Sequence, residues 1–358
     1  MKRDSSIDVL KGILIILVVI GHVDNGYISK FINIFHMPAF FFVSGMLFKD
    51  EYIKNTRYFI KNRVVKLYIS FIKYNAVILV LHNVFVRVGI YSANSETSKY
   101  MSTIYTLKDY LINFFKLFLF SGVEQLGGAT WFLISMIQVS IMFYIIRKII
   151  YKISKNKLTN DFIVFIIIGV IANLLVINNI KLVKFLDTSI MGLYFYYMGY
   201  LYSKLKLKIK FDLKYFIFTL STLLIFTPKL KVSMVNNSYT NILLFNIMSV
   251  LGIYISLMFS ELIKDKKTIS IIGRYTLEIM SLHFLAFKIV SLLCAIILKN
   301  KNIIGYFPVF YEANVIIKIL YVIIGVLIPI IISKFIKKIL ELKKGENNET
   351  RNSSRSIS

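Results

Sequence analysis

The chain has 358 residues, 57% of them hydrophobic, with mean hydropathy +0.70 and a formal net charge of +26. Long apolar runs recur from Ile7 to Phe335, which excludes a soluble globular domain and points to a polytopic membrane protein. Runs such as 163–177, apolar but for Asn173, do not alternate, which excludes a lipid-facing β-barrel with its alternating strands, and the charge reads as basic loops on one membrane side, with no nucleic acid as partner. Cys294 is the sole cysteine, so neither an intramolecular disulfide nor a cysteine-based metal site is expected.

The first segment, with Lys2 and Arg3 before an apolar run, imitates a signal peptide. The run continues too far, and Gly21-His22-Val23-Asp24 is no small-x-small cleavage site, so it reads as a retained first span. Nine more spans follow, giving roughly 7–24, 32–48, 67–90, 131–147, 161–178, 188–203, 213–228, 241–262, 275–298 and 314–335. Segment 104–121 is apolar but carries Lys108, Asp109 and Lys116, and reads as an interfacial or re-entrant helix on the outer side. With the N-terminus inside, 30 Lys and Arg fall on the inner side and 11 on the outer. That split predicts an all-α bundle of about ten transmembrane helices with both termini cytoplasmic, in the cell membrane. The organisation is one membrane domain over 1–341 and a polar tail over 342–358, expected to be disordered.

Ionisable residues inside a membrane are costly and mark functional sites. Asp8 and Lys11, three apart on the first helix, have the spacing of an ion pair, functional or simply at the membrane boundary. Eleven residues separate Lys11 from His22, which puts both on one helix face about 17 Å apart. Spans 1 and 2 form a hairpin that brings His22 and His36 to similar depth, with Gly12 opposite Ser44 and Gly45 for close approach. Pro38 suits the first turn of the second helix, which places His36 near a helix N-terminus. The plain readings are a packing histidine for His22 and an interfacial one for His36. Neutral imidazole is a general base near pH 7. No Asp or Glu stands four residues from either ring, and metal-binding spacing is absent.

Glu124 precedes Trp131, the sole tryptophan, which opens the fourth span. Trp131 reads as an acceptor-side residue or as an interfacial belt aromatic. Arg274 and Glu278, four apart, are expected to pair, and His283 lies deeper on the ninth span, as a site residue or an interhelical hydrogen bond. His82, near Asn83 and Arg87, reads as structural.

The stretches IDVLKGILIILVVIGH, FHMPAFFFVSGMLF, WFL at 131–133 and LEIMSLHF together resemble the integral-membrane acyltransferase family 3, along most of the chain. The resemblance implies an O-acyltransferase, an O-acetyltransferase in particular, that uses cytosolic acyl-CoA (acetyl-CoA) as co-substrate, with no permanently bound cofactor and no metal. The acceptors it implies are hydroxyls of envelope glycans, peptidoglycan, antibiotics or lipids, of which an envelope polysaccharide or a lipid-linked glycan is the reading taken. The family fingerprint of Arg, ten residues, then His falls on Lys11 and His22. Lysine keeps the charge and lacks the planar fork of arginine. In the family's pattern a Tyr precedes the span-9 His, and here Met280 and Ser281 occupy that part.

On this reading His22 and Lys11 are the catalytic residues. Asp8, His36, Trp131, Glu124, Arg274, Glu278 and His283 are candidates for binding donor or acceptor. His22 acts as general base or carries the acyl group transiently. A second reading is a transporter or flippase for a lipid-linked glycan or acyl donor, against which stands the lack of inverted repeats and of helix pairs broken at Gly or Pro. A third, a non-catalytic scaffold, predicts that replacing His22 changes nothing.

Overall fold

The computed structural model describes residues 5–92, 102–153 and 157–355. Among the described residues the regular structure is helical apart from one short hairpin. The chain opens with α1 (Ser5–Val23), α2 (Tyr27–Asn33) and α3 (His36–Met46). Two single turns, α4 (Glu51–Lys54) and α5 (Thr56–Phe59), lead through a π-turn at Ile60–Val64 into α6 (Val65–Val80) and α7 (His82–Val88). Then come α8 (Leu107–Phe118), α9 (Trp131–Ile153), α10 (Lys157–Ile177), α11 (Leu186–Lys204) and α12 (Leu213–Phe226). The antiparallel strands β1 (Val232–Ser233) and β2 (Ser238–Tyr239) precede α13 (Ile242–Leu262), α14 (Lys267–Arg274), α15 (Thr276–Ile297) and α16 (Val315–Arg355).

Six helical stretches among the described residues are long and apolar enough to cross a membrane: Ser5–Val23, Gln125–Ile153, Leu158–Ile177, Ile242–Leu262, Thr276–Ile297 and Val315–Ile339. The run through α6 and α7, bent by 46°, makes a seventh if taken as one span. Helix also lies on the three other expected segments, in different form. α3 has 11 residues and α12 has 14, each shorter than the roughly 20 that cross a hydrocarbon core. α11 has 19, but Asp187 and several tyrosines interrupt its apolar character. The backbone of α16 continues through the polar segment after Leu342 as far as Arg355.

The expected second span is broken at Ile34 and Phe35. Phe35 leaves the helical region (φ −133°), and Pro38, which has no N–H to donate, sits in the first turn of α3, where none is needed. The carbonyl of Ile34 accepts a hydrogen bond from Ser249 Oγ of α13 at 2.7 Å. A buried backbone acceptor at the break is therefore satisfied by a neighbouring helix. The preceding turn is held by Asp24, whose Oδ2 accepts from Gly26 N (2.8 Å) and Ser29 N (3.0 Å).

Two glycine pairs set the tightest helix contacts, and they differ from the expected one. Gly12 does not face Ser44 and Gly45. A Cβ on Gly12 would collide with the Ile269 carbonyl of α14, and one on Gly273 with the Asp8 carbonyl of α1. Gly45 of α3 packs likewise against Tyr196 of α11, and Gly199 against the Phe42 carbonyl. Backbone-to-backbone approach needs a small residue on both helices. Gly273 supplies it for α1 and Gly199 for α3.

Elsewhere in the core, Arg147 of α9 donates to Asp161 of α10 at 2.5 Å, and Tyr197 of α11 donates to the same oxygen at 2.7 Å. This buried ion pair ties three helices together. Segment 104–121 contains a helix too short to span, α8. It opens with a capping box between Thr106 and Asp109 and has Leu107, Leu111 and Phe115 exposed.

Candidate active site

His22 lies in the last turn of α1. It lines a cavity of about 180 Å³ together with Asn33, His36, Trp131, Phe132, Met280 and the 232–235 segment of the β-hairpin. The cavity is thus assembled from the α1–α2–α3 unit, the start of α9, α15 and the β1 turn. It exists because α3 starts at His36: a continuous second helix would leave no break at Ile34 and Phe35 to turn that ring. Trp131, the first residue of α9, follows the 3-10 segment Gln125–Thr130. Asn75 holds that segment by donating to Thr130 Oγ1 at 3.0 Å.

Hydrogen bonding separates the three histidines. His36 Nδ1 bonds the Ile32 carbonyl at 2.8 Å, and His283 Nδ1 bonds the Ile279 carbonyl at 2.9 Å. A carbonyl only accepts, so both Nδ1 atoms carry hydrogen and each neutral ring presents a lone pair at Nε2. The His283 Nε2 is buried with no hydrogen-bond partner among the described residues. The ring of His22 stacks on that of His283, with centroids 5.2 Å apart and planes 25° from parallel, and meets Phe284 edge-on at 4.8 Å. No described residue hydrogen-bonds the His22 ring, which leaves its nitrogens available to a bound substrate. Among the described residues no group of three histidine, cysteine or acidic side chains is placed to hold a metal ion.

The other candidates fall into separate places. Lys11 Nζ stands 3.5 Å from Asp8 Oδ1, as the spacing predicts, near the opposite end of α1. Arg274 and Glu278 do not pair. Tyr275 breaks the helix between α14 and α15 (ψ 19°), which removes the register that a four-residue spacing needs. Arg274 is exposed, and Glu278 Oε1 accepts from Ser333 Oγ at 3.3 Å. Glu124 lies outside the His22 cavity. It is buried against His82, with His82 Nδ1 2.9 Å from Glu124 Oε2.

His82 therefore has company that its own neighbours in sequence do not reveal. Its Nε2 donates to the Thr103 carbonyl at 2.9 Å, and its ring stacks on Tyr105 with centroids 3.4 Å apart. Burial pushes the Glu124 carboxyl above the ordinary glutamate range, against the hydrogen bond with His82 that lowers it.

Arg63 is a further candidate, one that its place among the loop charges does not announce. It sits in the π-turn before α6, donates from Nη2 to the Ser44 carbonyl (2.9 Å) and to Tyr196 Oη (3.2 Å), and has a buried, unpartnered Nε. A cavity of about 520 Å³ is lined by Arg63, Asn62, Lys66, Ser70, Ser44 and Met136. The usable signal was Arg63 and Lys66 one turn apart at the start of a span, where a π-turn often accompanies function. A larger cavity, about 610 Å³, opens at the Ser6 and Ile7 end of α1, well away from His22.

Comparison with known proteins supplies the family. No curated protein and no solved structure gives a match. One family model, described as an acyltransferase domain, matches residues 4–334, which takes in α1 to α15, the His22 cavity and α16 as far as Lys334. The chain belongs to the acyltransferase family 3, as a helical membrane acyltransferase.

Proposed function

We propose that this protein transfers an acyl group, acetyl in this reading, from cytosolic acyl-CoA to a hydroxyl of a cell-envelope glycan, and that His22 is the general base. The observation that carries the reading is the His22 cavity: a ring with free nitrogens, beside His36 and Trp131, in a chain of the acyltransferase family. A His22 nitrogen takes the acceptor's hydroxyl proton as the oxygen bonds to the thioester carbonyl carbon. The C–S bond then breaks, and the departing thiolate takes the proton back from His22. His36 Nε2 accepts a hydrogen bond from the sugar, and Trp131 offers it a face.

The donor side follows from charge. Lys11, Arg63 and Lys66 are cations toward the other end of the bundle, and the cavity beside Arg63 has room for phosphate groups. Lys11 and His22 are separated by about 17 Å of helix, a span that an extended pantetheine arm covers. Ten spans with both termini in the cytoplasm, in the cytoplasmic membrane, complete the reading, supported by the 30 to 11 division of basic residues. The catalytic unit is residues 1–341, and the polar segment 342–358 lies outside it.

The test replaces His22 with alanine in the full chain. Acyl transfer to the envelope glycan, read as the acyl mass on the glycan by mass spectrometry, should vanish while the protein still inserts in the membrane. Full acylation by that variant would overturn the mechanism.

A further inference from the structure

The chain between α11 and α12 reads Lys204, Leu205, Lys206, Leu207, Lys208, Ile209, Lys210, Phe211, a strict alternation of lysine and apolar residues that acyl transfer at His22 does not use. Alternation sends successive side chains to opposite faces wherever the backbone is extended. The structure keeps this division for the lysines, none of which lines the apolar side. Lys206, Lys208 and Lys210 line the 610 Å³ cleft beside Ser6 and Ser260. Leu205, Leu207 and Ile209 line a second cavity of about 280 Å³, whose other walls include Phe165, Leu201 and Val250. Leu207 and Ile209, with Tyr202 and Leu257, border both, so one strap separates a basic cleft from an apolar groove.

We propose that this strap binds an anionic phospholipid, its phosphate headgroup on Lys206, Lys208 and Lys210 and an acyl chain in the groove between α10, α11 and α13. Three observations select a lipid. The groove wall includes Phe162 and Val250, both 39% exposed on the outer face of the bundle, so a chain enters sideways from the bilayer. The lysines stand where α11 ends at Lys204 and α13 ends at Leu262, at the level where headgroups meet helix ends. Among the described residues the one acidic side chain lining the basic cleft, Glu261, is bonded to Lys264 at 2.6 Å and leaves the three strap lysines as the net charge of that lining.

The purified full chain is tested by native mass spectrometry with phosphatidylglycerol against phosphatidylcholine. Phosphatidylglycerol should stay bound and phosphatidylcholine should not. Lys206→Glu, Lys208→Glu and Lys210→Glu together should weaken retention on the order of a hundredfold, from about 1 kcal/mol per lysine near a surface. Val250→Trp, which fills the groove and leaves the lysines untouched, should also release the lipid. Wild-type protein should retain a dihexanoyl phosphatidylglycerol far less than a long-chain one, a measurement that needs no variant to fold. Retention independent of chain length and of Val250→Trp would mean that surface charge alone acts, and would overturn the site. Displacement of the lipid by free coenzyme A would assign the cleft to a nucleotide and overturn it too.

Discussion

His22 and His82 are histidines of opposite design within one bundle. His82 has a partner on each nitrogen, a carboxylate at one and a carbonyl at the other, and a tyrosine ring flat against its face. His22 has no described hydrogen-bond partner, a second imidazole against its ring and a cavity in front of it. A histidine beside a carboxylate resembles an oriented base, yet here that pair is the sealed one, its two side chains 0% and 2% exposed. A base must reach the proton it abstracts, and His82 has both nitrogens committed. The arrangement that looks catalytic in composition is the buried one, and the ring without a carboxylate is the one that lines a cavity.

The largest expected effect separates the two rings. His22→Ala should cost about 10²–10⁴-fold in acyl transfer, the usual worth of a general base, with little change in melting temperature; a melting temperature well below wild type would erase the contrast. His82→Leu should do the reverse. Stranding the buried Glu124 carboxyl should cost about 1–3 kcal/mol of stability, seen as a lower midpoint in thermal unfolding, while acyl transfer per folded molecule stays within a few-fold. His36→Leu lies between them. It should raise KM for the acceptor by about tenfold, the loss of one hydrogen bond of ~1.4 kcal/mol, and His36→Gln, which can place an acceptor near the Nε2 position, should recover part of it.

The smallest effect concerns pH. Burial holds the Glu124 carboxyl above the ordinary glutamate range, so the folded protein keeps that proton to higher pH than the unfolded chain. The associated stability is complete below the unfolded value and is lost as pH rises through the folded one. Melting temperature should therefore decline as pH is raised above the ordinary glutamate range. Glu124→Gln should flatten that slope, and an equal slope in this variant would assign it to another group.

The sequence carried the helical membrane class, the family and the placing of His22 with His36, because apolar runs, short motifs and helical spacing are local. Partners across the bundle were less legible. Gly12 meets Gly273 and not Gly45, since which small residues face one another depends on how helices turn about their axes. Arg274 and Glu278 have pairing distance in sequence, but a helix break at Tyr275 cancels it. Glu124 finds His82 across 42 positions, and nothing in the spacing announces that. His283 beside His22 joins α15 to α1, and the orphaned Nε2 that makes it notable is visible only after packing.

The glycine contact between α1 and α14 turns the first helix into a gauge. With the Ile269 carbonyl seated against Gly12 and the Asp8 carbonyl against Gly273, α1 cannot slide along its axis without a collision of backbones. The contact therefore fixes where both marks on this helix stand in the bundle, Lys11 at one and His22 at the other, about 17 Å apart by helix rise. On the proposed reading, a donor gripped by its charge at Lys11 and reacting at His22 has to be that long. An acyl phosphate, whose charge sits two bonds from its carbonyl carbon, falls short of the second mark, whereas a thioester on a long flexible arm reaches it.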